Sequence, residues 1–364
     1  MNAKHELVRY LLERGLLPHA AVVDGDVTVV ERARRHTNYT VLRQHGPGLF
    51  IKQMRSDQAG SAQTLQKEAA FYGLIAGDPA LAGVNTLMPK FHAYDPESHL
   101  LIVELLAGAE DANEHHARLQ SFPVEVARDI GSALARYQSA SRSDLALRPA
   151  GVMFPRTPPW ILSFHTYPEN AMQGMSGANG QFVSMLRGSS EFVQALDSLR
   201  ATWRYDTLIH GDMKFENCMI TTEGVRIVDW ELADVGDPLW DAGSIIQAYL
   251  TWWIGGMQIA PGAPLMLSSM TSMYPLDSIR PALQAFWSTY ESEMGFAPHE
   301  LDQKLDRAIA CAGARLLQTI YEASAYSQSL APHAMLEVQA AMNMLRQPRA
   351  AAMELIGTQV HSHV

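Results

Sequence analysis

One short stretch constrains the fold of this chain more than any other. Residues 210–217 read His-Gly-Asp-Met-Lys-Phe-Glu-Asn, and Asp229 follows twelve positions after Asn217. Short runs with strand character lie between them at residues 218–220 and 225–228. This order predicts a loop, a small hairpin and a tight turn at the second carboxylate.

The residue types in this stretch match the requirements of phosphoryl transfer. That reaction needs a carboxylate that orients the attacking hydroxyl and hard oxygen ligands that hold Mg²⁺. Asp212 can orient the hydroxyl, and Asn217 and Asp229 can hold the metal, with Glu231 as a further contributor. Lys214 can place a positive charge beside the transferring group. The alternative is that the two Asp residues only shape a turn and cap a helix.

These motifs resemble those of the aminoglycoside phosphotransferase and choline kinase branch of the protein-kinase-like fold. That branch has His-Gly-Asp, as at residues 210–212, and an Asp-Trp-Glu type turn, as at residues 229–231. The stretch Gly-Asp-Pro-Leu-Trp-Asp at residues 236–241 is also similar to the family. In its order of elements the resemblance extends from about residue 22 to the end of the chain.

The resemblance implies an α+β fold of the bilobal protein-kinase-like type. Residues 1–107 would form a small antiparallel-sheet N-lobe that binds nucleotide and begins with a helix. Residues 108–364 would form a larger, mainly helical C-lobe that carries the catalytic and acceptor-binding residues. The implied cofactors are ATP and Mg²⁺, and the implied reaction moves the γ-phosphate to a hydroxyl of a small metabolite or antibiotic.

Two other functions are compatible with the same fold. In the first, the acceptor is a Ser or Thr of a peptide during the maturation of a ribosomally made natural product, which would require an extended groove or a partner protein. In the second, the chain is a pseudokinase that binds nucleotide and acts as an interaction module. The presence of all the expected chemical groups, Lys52, Glu68, Asp212, Asn217 and Asp229, counts against the pseudokinase.

A lysine and a glutamate upstream form a candidate ion pair. Lys52 lies inside the apolar strand pattern of residues 49–54, where an unpaired charge would be costly. Residues 61–76 have a helical pattern in which Glu68 is the only acid and shares a face with apolar residues. The resemblance implies that this pair positions the α and β phosphates. The alternatives are an extended surface lysine and a solvated glutamate.

Two further segments are candidate nucleotide contacts. Residues 34–38 connect two strand-like runs without a glycine, so Thr37 and Asn38 are the candidates for the phosphate side. A strand-like run at residues 100–105 precedes what the resemblance makes the linker that binds adenine, with Glu104 and Leu106 among the lining residues. An ordinary buried strand followed by a turn explains the second pattern equally well.

The negative charge of the chain is one-sided. The formal net charge is −10, and all of it arises beyond residue 107. No Lys or Arg occurs between Arg226 and Arg280, whereas Asp234 and Asp237 follow the predicted metal-binding turn. This acidity favours a cationic acceptor and argues against nucleic acid as a partner. The alternative is that the two carboxylates only shape a turn and cap a helix.

Composition places the chain among globular, cytoplasmic proteins. Hydrophobic residues make up 47% of the chain and charged residues 18%, and there are only two cysteines. The start of the chain has no signal-peptide pattern and reads as an amphipathic helix. The most apolar stretch, residues 245–260, contains polar and glycine interruptions, so we expect a core helix and no membrane partner.

The remainder of the C-lobe is expected to be helical, with one long loop. Helical patterns occupy residues 276–293, 300–325 and 334–357. Residues 141–180 are rich in Pro, Gly and Ser, which is typical of a functional loop or lid. Trp160 and Phe164 of this segment either contact the acceptor or fasten the loop to the core.

Overall fold

The structure, a computed structural model, describes residues 3–33, 37–54, 59–141, 153–168, 170, 173–259 and 272–357. The chain forms two compact units. The first contains residues 1–110 and 219–233, and the second contains residues 111–218 and 234–364. The first boundary between the units, after residue 110, is three residues from the lobe boundary expected after residue 107. Residues 219–233, which the sequence prediction assigned to the C-lobe, belong to the first unit.

The elements up to the first division are, in chain order, α1 (Ala3–Glu13), α2 (His19–Val23), β1 (Val27–Ala33), β2 (Thr37–Arg43), β3 (Leu49–Gln53), α3 (Ala59–Gly77), α4 (Ala82–Asn85), β4 (Phe91–Asp95) and β5 (Leu100–Glu104). They are followed by β6 (Glu110–Asp111), α5 (Ala112–Leu119), α6 (Val124–Ser141), α7 (Gly177–Gly188), α8 (Ser190–Ala201), β7 (Thr207–Ile209), β8 (Cys218–Thr221), β9 (Gly224–Ile227), β10 (Asp234–Gly236), α9 (Pro238–Gly255), α10 (Leu276–Met294), α11 (Leu301–Ala323), α12 (Pro332–Arg346) and α13 (Pro348–Leu355).

The first unit is built on an antiparallel sheet with the strand order β1-β2-β3-β5-β4. Side chains alternate between the two faces of a strand, so Leu49 and Ile51 of β3 enter one apolar core while Lys52 points to the opposite face. Leu7 and Leu11 of α1 join the same core, which explains the amphipathic pattern at the start of the chain.

The hairpin β8-β9 explains why residues 219–233 belong to the first unit. The backbone N–H of Ile227 donates to the carbonyl of Leu87 at 2.7 Å, and the guanidinium of Arg226 donates to the carbonyl of Met88 at 3.3 Å. The Trp230 ring stacks on Phe71 of α3 with ring centroids 5.1 Å apart. Backbone hydrogen bonds and an aromatic contact thus fasten this late segment to elements formed early in the chain.

The second unit is mainly helical. Helix α9 is almost entirely buried, which agrees with a core helix in the most apolar stretch of the sequence. Two of the three expected C-terminal helices are found as α10 and α11. The third expectation, one helix over residues 334–357, is wrong because the helix ends at Arg346 and a new one begins at Pro348. Proline lacks the N–H that an uninterrupted helix requires and is favoured in a first turn. Among the described helices, none has the length and apolar character needed to span a membrane.

Candidate active site

The loop after β7 holds the first group of predicted residues. The N–H groups of His210 and Gly211 donate to the carboxylate of Asp241 at 2.7 and 3.1 Å, and the hydroxyl of Tyr137 donates to it at 2.5 Å. Gly211 has φ +81°, a conformation that a residue with a β-carbon rarely adopts. Asp241, fully buried in α9, therefore fixes the backbone immediately before Asp212.

Asp212 is held between two positive charges. Lys214 donates from Nζ to Oδ2 at 2.6 Å, and Arg315 of α11 donates from Nη2 to Oδ1 at 3.1 Å. Burial alone would raise the pKa of Asp212, but the charges of Arg315 and Lys214 outweigh it and hold the pKa below its ordinary value. The carboxylate is therefore ionised and fixed, which suits a group that orients a hydroxyl.

Asn217 lies in a single 3₁₀ turn, Phe215–Asn217, directly after this loop. Its amide nitrogen Nδ2 donates to the backbone carbonyl of Asp212 at 2.9 Å. This bond uses the donor side of the amide and leaves the oxygen Oδ1 as the group that can accept a ligand. The side chain is thus oriented as a metal-binding amide requires.

In the first unit, Lys52 joins two carboxylates. Its Nζ lies 2.8 Å from both oxygens of Glu68 and 2.6 Å from Oδ1 of Asp229. The side chains of Lys52, Glu68 and Asp229 are 12%, 1% and 36% exposed. The expected ion pair is therefore present, and Asp229 extends it to a third charge.

Burial and charge act in opposite directions on this cluster. Burial is the main reason that the pKa of Glu68 is raised to about 7. The charge of Lys52 lowers this pKa, and the negative charge of Asp229 raises it further. Burial alone would lower the pKa of Lys52, but Glu68 and Asp229 outweigh it and raise that pKa. The lysine is therefore charged, and the cluster carries an excess of carboxylate.

Asp229 has an unusual backbone. Its φ and ψ are +67° and +51°, in the left-handed region, immediately before the 3₁₀ turn Trp230–Leu232. Non-glycine residues are uncommon there, and such strain persists where the surrounding structure holds it, often at functional sites. Here the neighbouring Trp230 fixes the backbone of the turn, since it is fully buried and its Nε1 donates to the Ile227 carbonyl at 2.9 Å. Glu231 lies in the same turn and is half-buried.

The candidate nucleotide contacts lie on the sheet of the first unit. Thr37 and Asn38 form the start of β2, where Asn38 pairs with Lys52 of β3. Oδ1 of Asn38 is buried without a hydrogen-bond partner among the described residues. Residues 34–36, the remainder of the expected phosphate-side loop, lie outside the described residues.

The expected adenine linker follows β5. Glu104 ends that strand, and its Oε2 accepts from the backbone N–H of Lys90 at 3.0 Å. Leu106 lies two residues after Glu104 and is half-buried. Its carbonyl accepts a hydrogen bond from the N–H of Ala109 at 3.2 Å. The Glu104 side chain is thus engaged in fastening the strand, which leaves backbone groups as the candidates for nucleotide binding.

Asp234 and Asp237, expected to attract the acceptor, have structural partners instead. Asp234 accepts from the N–H groups of Arg156 and Thr157 at 3.0 and 3.1 Å. Asp237 accepts from the N–H of Leu239 at the start of α9 and from Nε of Arg307 at 2.6 Å. Both carboxylates are buried, so the structure favours the turn-forming and capping alternative. The local absence of basic residues in the sequence was misleading, because Arg307 comes from a distant helix.

The described part of the long loop is fastened to α11. Trp160 and Phe164 form edge contacts with Tyr321, with ring centroids 5.2 and 4.8 Å apart. Phe164 is buried, so the fastening interpretation agrees with the structure. Residues 142–152, 169 and 171–172 of this segment lie outside the described residues.

Arg315 was not found from the sequence. It lies 103 residues from the carboxylate that it contacts, and no short motif includes it. The signal that could have found it is its isolation, since it is the only charged residue in the apolar run of residues 308–320. A charge in such a run needs a buried partner.

Comparison with known proteins agrees with this geometry. The sequence model of the phosphotransferase enzyme family (APH) matches residues 28–263. The protein LicA of Haemophilus influenzae is 30% identical over 79 residues, which cover 18% of this chain and 30% of LicA. The chain therefore matches less than a third of the length of that curated relative.

Two solved structures share the fold. The choline kinase of Cryptosporidium parvum has a TM-score of 0.59 at 11% identity, covering 97% of this chain and 98% of that one. The choline kinase LicA of Streptococcus pneumoniae has a TM-score of 0.51 at 14% identity, covering 92% and 98%. These similarities confirm the α+β, protein-kinase-like fold class.

Proposed function

Because this chain belongs to the phosphotransferase enzyme family, we propose that it transfers the γ-phosphate of ATP to a hydroxyl group of a small molecule. The observation that carries the proposal is the pairing of Lys52 with two carboxylates, Glu68 of α3 and Asp229, which lies 177 residues after Lys52 in the chain. A buried lysine paired in this way serves phosphate binding in kinases. The combination supports an active kinase over a pseudokinase.

Each charged residue has a defined task in this proposal. Lys52, positioned by Glu68, binds the α and β phosphates as a fixed positive charge. Asp212 accepts the hydrogen bond of the acceptor hydroxyl and directs its oxygen towards the γ-phosphorus. Its lowered pKa favours orientation over early removal of the proton. Lys214, bound to the same carboxylate, stabilises negative charge on the transferring group.

The donor set fits Mg²⁺. The carboxylate of Asp229 and the amide oxygen of Asn217 are hard oxygen ligands, and the bond from Asn217 Nδ2 to the Asp212 carbonyl leaves Oδ1 as the ligand atom of that side chain. We therefore propose Asn217 and Asp229 as the metal ligands, with Glu231 as a contributor. When bound, Mg²⁺ would neutralise charge on the ATP phosphates.

Kinetics of two variants tests the proposal. Asp212→Asn should lower acceptor-dependent ADP release by about 10² to 10⁴, with the KM for ATP nearly unchanged. Lys52→Met should weaken productive use of ATP, whereas the control Lys4→Met should not. Near-normal turnover by Asp212→Asn, or equal small effects of the two lysine variants, would contradict the assignment.

The peptide acceptor has no observation in its favour among the described residues, and a small molecule is the simpler acceptor. Asp234 and Asp237 are not part of the proposal, because their carboxylates already accept hydrogen bonds from backbone groups and Arg307. The case for a cationic acceptor, which depended on these residues, is correspondingly weaker.

A further inference from the structure

Arg315 lies in the middle of α11 among fully buried apolar neighbours. Its side chain is 3% exposed, and its Nη2 donates to Oδ1 of Asp212 at 3.1 Å. The guanidinium is planar and rigid, so its other nitrogens are held at a fixed position beside the Asp212 carboxylate. In the proposed function, this is where the acceptor hydroxyl binds.

Two donors of Arg315 have no hydrogen-bond partner among the described residues. Both Nε and Nη1 are buried. The Trp240 ring, with its centroid 5.9 Å from Cζ, offers the guanidinium a cation–π contact but no acceptor atom for its N–H groups. Burying donors without a partner is unfavourable, so their retention points to a ligand that supplies acceptor atoms.

Gln318 presents the complementary group one helical turn further on. Its Nε2 donates to Oε1 of Glu322 at 2.8 Å, which fixes the orientation of the amide. Its Oε1 is buried and has no donor among the described residues. Residues three positions apart lie on the same side of a helix. This side of α11 therefore offers two unmatched donors and one unmatched acceptor.

A hydroxyl group is the ligand that satisfies both kinds of atom, because it donates and accepts. An ammonium group only donates, so it would leave Arg315 unmatched and would meet its positive charge. A carboxylate only accepts, so it would leave Oε1 of Gln318 unmatched. Lys214 and Arg315 both bind the Asp212 carboxylate, so a cationic group next to the acceptor hydroxyl would meet two positive charges. A further carboxylate on α11, that of Glu322, is already bound by Gln318.

We propose that Arg315 and Gln318 select an uncharged, polyhydroxylated acceptor such as a sugar or sugar alcohol. One hydroxyl of the acceptor binds Asp212, and neighbouring hydroxyls accept from Arg315 and donate to Gln318. The acceptor oxygen forms a bond to the γ-phosphorus, the bond to the β–γ bridging oxygen breaks, ADP leaves, and one proton is released to solvent. This inference rests on the proposed function.

The test measures ADP release from Mg²⁺-ATP with three groups of probes. The neutral probes are glycerol, erythritol, ribitol, myo-inositol and N-acetylglucosamine. The cationic probes are choline and kanamycin, and the matched neutral control for choline is 3,3-dimethylbutan-1-ol. We expect at least one polyol to raise ADP release above the rate without acceptor, and choline and kanamycin to leave it unchanged.

Gln318→Met is the main variant, because it preserves size and leaves the Arg315–Asp212 bond in place. It should raise the KM of the accepted polyol by about tenfold or more, with the KM for ATP unchanged. Gln339→Met, at an exposed position of α12, is the matched control and should change neither. Arg315→Lys keeps the charge but loses the planar fork, so it should raise the polyol KM while retaining ATP use.

Three results would overturn the inference: turnover of the cationic probes alone, turnover of no polyol, or an unchanged polyol KM in Gln318→Met. If Mg²⁺-ATP binds in a Lys52-dependent way and ADP release depends on Asp212, the proposed function stands and only the choice of acceptor is wrong. If no probe gives Asp212-dependent ADP release and ATP does not bind, the proposed function fails as well.

Discussion

The two charged clusters of this protein are built with opposite balances. In the first unit, one cation, Lys52, lies between the carboxylates of Glu68 and Asp229. In the second unit, one carboxylate, Asp212, lies between the cations Lys214 and Arg315. Counting these three side chains in each case, the first cluster has a net charge of −1 and the second of +1.

The two balances of charge shift the pKa values of the carboxyl groups in opposite directions. Where carboxylates outnumber the cation, burial and Asp229 together raise the pKa of Glu68 to about 7. Where cations outnumber the carboxylate, the burial of Asp212 is outweighed and its pKa is lowered. A cluster with excess negative charge favours an added cation such as Mg²⁺, and a cluster with excess positive charge favours an added anion such as a phosphoryl group.

Removing the central cation of the first cluster should have the largest effect on stability. Lys52→Met leaves a buried carboxylate without its partner, so the free energy of unfolding at pH 8 should fall by about 3–5 kcal/mol. The raised pKa of Glu68 sets the pH dependence: the loss should be greatest where Glu68 is ionised and should shrink as the pH falls and Glu68 is protonated. Urea unfolding between pH 5 and 8 measures this.

Glu68→Gln in the same background should recover part of the loss at pH 8, because it removes the buried charge. Lys4→Met provides a control and should change stability by less than about 0.5 kcal/mol. Equal losses at both pH values in Lys52→Met would show that the effect comes from packing and not from charge.

Asp237 is a buried carboxylate outside both clusters, paired with the cation Arg307. Asp237→Asn should therefore lower the free energy of unfolding by about 1–3 kcal/mol, less than the loss of Lys52. The KM values for ATP and acceptor should stay the same, because the task of Asp237 is to cap α9 and bind Arg307. A raised acceptor KM, together with a loss of its salt dependence, would restore Asp237 as an acceptor-binding residue.

The smallest expected effect concerns the pH dependence of turnover. Lys214→Met removes one of the positive charges that lower the pKa of Asp212, so this pKa should rise towards its ordinary value. Since the ionised carboxylate is required, activity of the variant should be lost at a higher pH on acidification than in the parent. Profiles of kcat against pH for the two proteins measure the shift. An unchanged acid limb would leave Arg315 as the dominant cation.

The members of the first cluster were predictable from the sequence, whereas in the second cluster Asp212 and Lys214 were predictable and Arg315 was not. Lys52 stands out in an apolar strand pattern and Glu68 is the only acid in its helix, so local patterns identify both. Arg315 stands out only as the single charge in an apolar run, which does not identify its partner, and both Arg315 and Arg307 reach their partners only after α11 packs in the folded unit. Charge counted along the sequence therefore misjudged the surroundings of Asp237, and it gave no indication of Arg315 beside Asp212.

The secondary structure was likewise predictable where it depends on local sequence and unpredictable where it depends on distant contacts. Strands and most helices were predictable because alternation and helical spacing are local properties. The break at Pro348 could have been predicted from the proline alone. The assignment of residues 219–233 to the first unit could not, because it depends on hydrogen bonds from Arg226 and Ile227 to carbonyls more than a hundred residues earlier.

That late segment also bears on synthesis at the ribosome. The first unit lacks Asp229 and Trp230 until residue 233 has been added, although its sheet strands are complete by Glu104. At about 5–20 residues per second, translation of residues 111–233 takes on the order of ten seconds. During that interval Lys52 and Glu68 are present without Asp229, and Phe71 is without the indole that covers it. The nascent chain therefore carries an unfinished first unit while most of the second, mainly helical unit has yet to be synthesised.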